Sequence, residues 1–107
     1  MKRDQKLDSI HHVAIVVDDV DRAIRWYQSN LQTSLVYADD SWAMLAFENI
    51  SLALVKAEQH PPHLAVEYEQ ADQYGPLKRH RDGTESIYIK DSEGNSIELL
   101  RQYNSQT

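Results

Sequence analysis

Cysteine is absent from this chain of 107 residues. A disulfide framework, a thiolate metal site and a cysteine nucleophile are therefore excluded together. Any metal has to be held by histidine, aspartate, glutamate or backbone oxygen. Long apolar runs are missing too: none approaches the roughly 20 residues of a membrane span. No secretory leader pattern precedes the first strand-like run, so neither a membrane nor export is expected and the cytoplasm is the expected compartment. Positive charge is the scarcer sign, with 11 basic against 17 acidic side chains and a formal charge of −6. That balance disfavours a phosphate backbone as partner. The basic run "KRHR" at 78–81 is short and has no interleaved aromatics, so no nucleic-acid partner is expected.

What is present is ordinary for a globular domain: 41 % apolar and 26 % charged residues. The length suits one compact domain, 1–107, and is too short for two. The polar, aperiodic "MKRDQKLD" reads as a loose N-terminal tail. Ile10 to Val17 is β-branched and too short for a stable helix, which predicts a strand. Asp18 and Asp19 then offer N-caps to "VDRAIRWYQSNL". There Val20, Ala23, Ile24, Tyr27 and Leu31 fall at helical spacing, the pattern of an amphipathic helix. Three strand-like runs follow, "SLVYA" (34–38), "WAMLAF" (42–47) and "SLALV" (51–55), and "KAEQHPP" ends the pattern because two prolines can continue neither ladder nor helix. After it "HLAVEY", a weak short helix with a loop, "TESIYIK", the turn "DSEGN" and "SIELLRQ" repeat the order with the middle compressed. The expected fold is α+β, built from two βαβββ modules over 9–57 and 60–103, the second shortened.

The repeat can be laid out residue by residue. "HVAIVV" from His12 aligns with "HLAVEY" from His63, and "SLALV" from Ser51 with "SIELL" from Ser96. Ala53 then occupies the place of Glu98. Side chains alternate along a strand, so His12 shares a face with Ala14 and Val16, and His63 with Ala65 and Glu67. His11 is assigned to the opposite face. Glu98 joins Ser96 and Leu100, and both histidines and the glutamate come to lie on the sheet face away from the helices. Two neutral imidazoles and one carboxylate on one face form a ligand set for a divalent metal with open coordination positions. Iron, manganese, nickel and zinc all suit it.

The same alternation puts Ser86, Tyr88 and Lys90 on one face, where a phenol and an ammonium could orient an anionic oxygen or donate a proton. Solvated strand positions explain these residues equally well. Trp42 and Met44 share a face and read either as an apolar wall of a substrate pocket or as core. Glu67 is a candidate base, with a rim carboxylate as its plainer reading.

"IHHVAIVVDDVDRAIRWYQSNL", "PPHLAVEY" and "DSEGNSIELL" resemble the vicinal-oxygen-chelate superfamily, which contains glyoxalases, bleomycin-resistance proteins and extradiol dioxygenases. The resemblance covers about residues 9–102. It implies a cupped mixed sheet around a metal, with ligands at His12, His63 and Glu98 and with Ala53 where some members carry a fourth oxygen ligand. It implies a divalent-metal-dependent enzyme acting on a small oxygen-bearing substrate. The alternative is a drug-sequestering small-molecule binder whose metal site is absent or vestigial. Gln32 stands where the family has a glycine after the first helix. A homodimer is expected, since each module's sheet exposes edges and the shortened half has less material to cover them.

Overall fold

The computed structural model describes residues 6–103, so most of the expected N-terminal tail, residues 1–5, lies outside the described residues. The elements are β1 (Ser9–Val16), α1 (Val20–Asn30), β2 (Ser34–Ala38), β3 (Trp42–Ala46), β4 (Ser51–Val55), β5 (His63–Glu67), a 3-10 turn (Ala71–Tyr74), β6 (Lys78–Arg79), β7 (Thr84–Lys90) and β8 (Ser96–Gln102). All eight strands join one sheet in the order β2-β3-β4-β1-β5-β8-β7-β6. The sheet is mixed, with β1–β4 and β5–β8 parallel and the other pairs antiparallel. The expected α+β architecture with a shortened second half is what forms. The 11-residue α1 is answered by a 3-10 turn of 4 residues, and the five-residue β2 by a two-residue β6.

Helix α1 starts where Asp19 accepts the backbone N–H of Arg22 at 3.0 Å, satisfying one of the donors that a helix start leaves free. Its apolar stripe buries Val20 and Ile24 against Ala43, Leu45 and Leu54, with Ile15, Val17, Ala23, Tyr27, Phe47 and Leu52 around them. Leu45 and Leu54 are fully buried, and each contributes about 2 kcal/mol by leaving water. The helix ends one residue before the periodic stretch does. Leu31 turns to extended backbone (φ −135°) while its N–H still bonds the Tyr27 carbonyl. The exit needs no left-handed residue, so Gln32 is accommodated: among the described residues positive φ occurs only at Gly75, Gly83 and Gly94. Gly94 (φ +87°) closes the β7–β8 hairpin, where Asp91 Oδ1 accepts the N–H groups of Glu93 and Asn95. That turn fixes the register Tyr88↔Glu98.

The two halves repeat in register as well as in order. Val13↔Leu52 and Ala14↔Ala53 pair β1 with β4, while Leu64↔Ile97 and Ala65↔Glu98 pair β5 with β8. The sequence alignment carries the first couples onto the second, and Ala53 takes the place of Glu98. The halves meet at the antiparallel pair β1–β5, where His12 faces Ala65 and His63 faces Ala14. These two crossed couples put both histidines on the same side of the seam. Because α1 packs on β3 and β4, the opposite face of the curved sheet is left to form a cup.

Candidate metal centre

His12, His63 and Glu98 meet inside the cup. They are 7 %, 8 % and 6 % exposed. His12 Nε2 lies 3.4 Å from His63 Nε2 and 3.4 Å from Glu98 Oε1, and His63 Nε2 lies 3.0 Å from the same oxygen. Three donors on one ion with bonds of about 2.1 Å sit about 3.0 Å apart at right angles and about 3.4 Å apart at tetrahedral angles. The observed spacings span that interval, so the donor set fits one divalent ion.

The rings are held in matching orientations. His63 Nδ1 donates to the Pro61 carbonyl at 2.8 Å, which leaves the Nε2 lone pair facing Glu98 and His12. The "PP" segment that breaks the chain pattern thus supplies the acceptor that sets this tautomer. His12 Nδ1 is 2.7 Å from His11 Nδ1. A His12 that offers its Nε2 lone pair carries its proton on Nδ1, and His11 is the acceptor for it. His11 therefore does not belong to the opposite face. The β1–β5 register shifts between Ile10 and His12, and this bulge turns two successive side chains toward one side.

Glu98 is anchored on its far oxygen. Ser86 Oγ donates to Oε2 at 2.6 Å, and His80 Nε2 lies 2.7 Å from that hydroxyl and 3.6 Å from Oε2 itself. Burial works to raise the Glu98 carboxyl pKa, but its contacts with His12, His63 and Ser86 outweigh it, and the net shift is downward. The site thus holds an ionised carboxylate between two imidazoles.

A cavity of about 300 Å³ opens over the three donors. All five histidines of the chain line it: His11, His12, His60, His63 and His80. Tyr88 also reaches it, with its hydroxyl 3.4 Å from His63 Nδ1 and 3.5 Å from His60 Nδ1. Burial, and then the Glu98 charge, push the Tyr88 phenol up from its ordinary value, so it stays protonated and can donate. Trp42 and Met44 form an apolar wall, with Trp42 stacked on Tyr37 at 4.6 Å between ring centroids. Ser86 sits behind Glu98, buried.

Two other expected residues lie elsewhere. Glu67 shares the strand face of His63 but is four residues along β5, about 13 Å away at strand rise; it is exposed and lines a separate depression with Lys6 to Ser9. Lys90 ends β7, exposed, with its ammonium 3.3 Å from Ser96 Oγ and away from the cavity lining. Glu67 and Lys90 thus share the strand face expected of them but lie outside the lining of the cavity over the three donors. His60 and His80 were not singled out by sequence reasoning, although one precedes the prolines and the other lies within "KRHR". Burial, then the neighbouring His63, hold the His60 pKa below its ordinary value; burial, then His12, do the same for His11.

Over residues 9–74 the sequence matches the family described as the Glyoxalase/Bleomycin resistance protein/Dioxygenase superfamily. The chain belongs to that superfamily. No curated protein matches it in sequence. Among solved structures it is similar to methylmalonyl-CoA epimerase from Mycobacterium tuberculosis, at 23 % identity and a TM-score of 0.69, covering 87 % of this chain and 87 % of that one. It is also similar to the hypothetical protein BH1468 from Bacillus halodurans C-125, at 12 % identity and TM-score 0.72, covering 95 % and 99 %. A superfamily member from Vibrio splendidus 12B01 matches at 8 % identity and TM-score 0.65, covering 90 % and 100 %. At these identities the likeness is one of fold. Within the superfamily fold, this chain puts the small Ala53 at the β4 position that repeats Glu98, and Ala53 lines the cavity. One side of the donor set is therefore left open to whatever enters the cup.

Proposed function

We propose that this superfamily member is a divalent-metal-dependent enzyme acting on a small oxygen-bearing substrate, with His12, His63 and Glu98 as the metal ligands. The observation that carries the reading is the convergence of three donors at 3.0–3.4 Å, with His63 Nδ1 committed to Pro61. Bare lone pairs facing one another across such a gap repel, so either a cation or a proton on Nε2 has to bridge it. An ion held there would act as a Lewis acid, gathering neighbouring substrate oxygens and stabilising charge that develops on them. Glu98 offsets part of the ion's charge and is itself held by Ser86. Tyr88 keeps its proton on Oη and is placed to donate it to a substrate oxygen. Trp42, Met44 and Ala53 exclude water from one wall. His2Glu suits iron, manganese, nickel and zinc, and the superfamily's small-molecule binders supply the rival outcome, a sequestering protein with a vestigial metal site.

The test is elemental analysis of the protein as purified, followed by turnover assays on catechols, hemithioacetals and epoxides before and after chelation. One equivalent of metal per chain and a chelator-sensitive turnover are expected. Metal below a tenth of an equivalent, with no uptake on titration, sinks the enzyme reading and leaves the binding protein.

Cytoplasmic location and a homodimer belong to the same proposal. No helix among the described residues is long and apolar enough to cross a membrane. The edge strand β2 leaves Leu35 and Val36 exposed at 45 % and 62 %. Unpaired apolar edges invite a partner strand, and sedimentation at micromolar concentration is expected to give twice the chain mass. A monomer there removes the dimer.

A further inference from the structure

The run "KRHR" gains a place in the structure. Lys78, Arg79, His80 and Arg81 all line the cavity, in a chain whose formal charge is −6. Lys78 pairs with Ser86 across β6–β7, and directly opposed residues share a face; Ser86 is the residue that holds Glu98. Lys78 is close enough to His60 for its charge to act on that ring, and Arg81 reaches the hydroxyl of Tyr37 on the opposite wall, which is itself bound to Asp39. Arg79 turns away: its guanidinium is taken by Glu85 at 3.8 Å and by Tyr103, over whose ring it lies at 3.9 Å. Lys78 and Arg81, in contrast, enter no ion pair among the described residues. Two carboxylates, Asp39 and Asp82, line the same mouth; they keep their charge, but their oxygens are held by their own turns. Asp39 accepts from Tyr37, from the N–H and hydroxyl of Ser41 and from Trp42 N–H; Asp82 accepts from the N–H and hydroxyl of Thr84.

We propose that Lys78 and Arg81 form an anion subsite at the mouth of the cup, so that the substrate carries a carboxylate or phosphate on the end away from the three metal ligands. The proposal rests on the metal-site reading for the chelated end only. His80 links the two regions, being flanked by the basic residues and 3.6 Å from Glu98. A cavity of about 300 Å³ holds a molecule of a few carbons between them. Two cations beside a partly apolar wall attract an anion more strongly than the same cations in open water, and the acidic remainder of the surface turns anions away elsewhere.

Hydroxamates separate the two ends, because their adjacent oxygens chelate a divalent ion while the tail can be chosen. Acetohydroxamate, succinic monohydroxamate and phosphonoacetohydroxamate are titrated calorimetrically into manganese-loaded protein. The tailed compounds are expected to bind roughly tenfold more tightly than acetohydroxamate, the gain of a charge-assisted contact. The larger gain of the two tails identifies carboxylate or phosphate. In Lys78→Gln/Arg81→Gln, both substitutions at exposed positions, that advantage should fall below about threefold, and in the unchanged protein it should shrink as salt rises to about 0.5 M. Equal binding of all three compounds, or an advantage that survives the double substitution, overturns the subsite. If acetohydroxamate does not bind but the tailed compounds do, with or without manganese, and the double variant loses them, the subsite stands and the metal reading falls. If none binds, the subsite falls too.

Discussion

Glu98→Gln is expected to weaken divalent-metal binding by about a hundredfold or more, measured by competition against a chromophoric chelator. Complete four-ligand zinc sites are worth roughly 10–16 kcal/mol, so one ligand accounts for about 3 kcal/mol, or two powers of ten. Glutamine keeps the size of the side chain and its contact with Ser86, so the loss isolates the charge that faces His12 and His63. His63→Ala should do as much. His11→Ala supplies the graded comparison: it removes the acceptor 2.7 Å from His12 Nδ1 and leaves all three donors in place. Loss of such an orienting partner costs about tenfold. Equal affinities for Glu98→Gln and the unchanged protein would remove Glu98 from the site. A His11→Ala protein as weak as His63→Ala would mean that His11 itself ligates.

Ala53→Glu should act in the opposite direction. Ala53 is 2 % exposed, lines the cavity and repeats the position of Glu98 in the other half of the sheet. A carboxylate there adds a fourth oxygen to the donor set, and roughly tenfold or greater tightening of metal binding is expected. Without metal the same carboxylate is buried beside Glu98 with no cation, which costs stability. The melting temperature of the metal-free variant should therefore fall, and added metal should raise it by more than it raises that of the parent. Turnover should slow, because the new ligand takes a position that substrate needs. A variant whose metal affinity and melting behaviour both match the parent would show that position 53 does not face the site, and the register used to find Glu98 would fail with it.

Much of this was legible in the sequence because the two halves are copies. Once His12 was set on His63 and Ser51 on Ser96, strand alternation alone put Glu98 on the histidine face. Alternation says nothing about distance along a strand, which is why Glu67 and Lys90 share the histidine face and yet lie outside the cavity lining. It also assumes a regular ladder. The bulge beside His11 breaks that assumption with one shifted register, and no residue in "SIHHVA" announces it, since neither glycine nor proline marks the place. His60 and His80 come from the connection before β5 and from the end of β6, and only the closure of the whole sheet brings them to Tyr88 and Ser86. The shortness of the second helix was readable from the small number of residues available to it. That β6 would shrink to two residues and still carry a cavity-facing lysine was not.

The seam between β1 and β5 has a consequence for time rather than for energy. Within the sheet it is the one pairing that joins the two halves, and His12 and His63, one on each side of it, are 51 residues apart in the chain. Nothing near either histidine in sequence can complete the donor set, so the set assembles only after the longest loop in the sheet has closed. An event of that kind comes late in folding, since chain closure over many residues has to precede the contacts that reward it. A cation held across the seam would then have little to grip in the folding transition state and a full complement of donors in the native one. Its effect would fall almost entirely on the rate of unfolding. The loaded protein would fold no faster than the empty one, and it would persist far longer once folded.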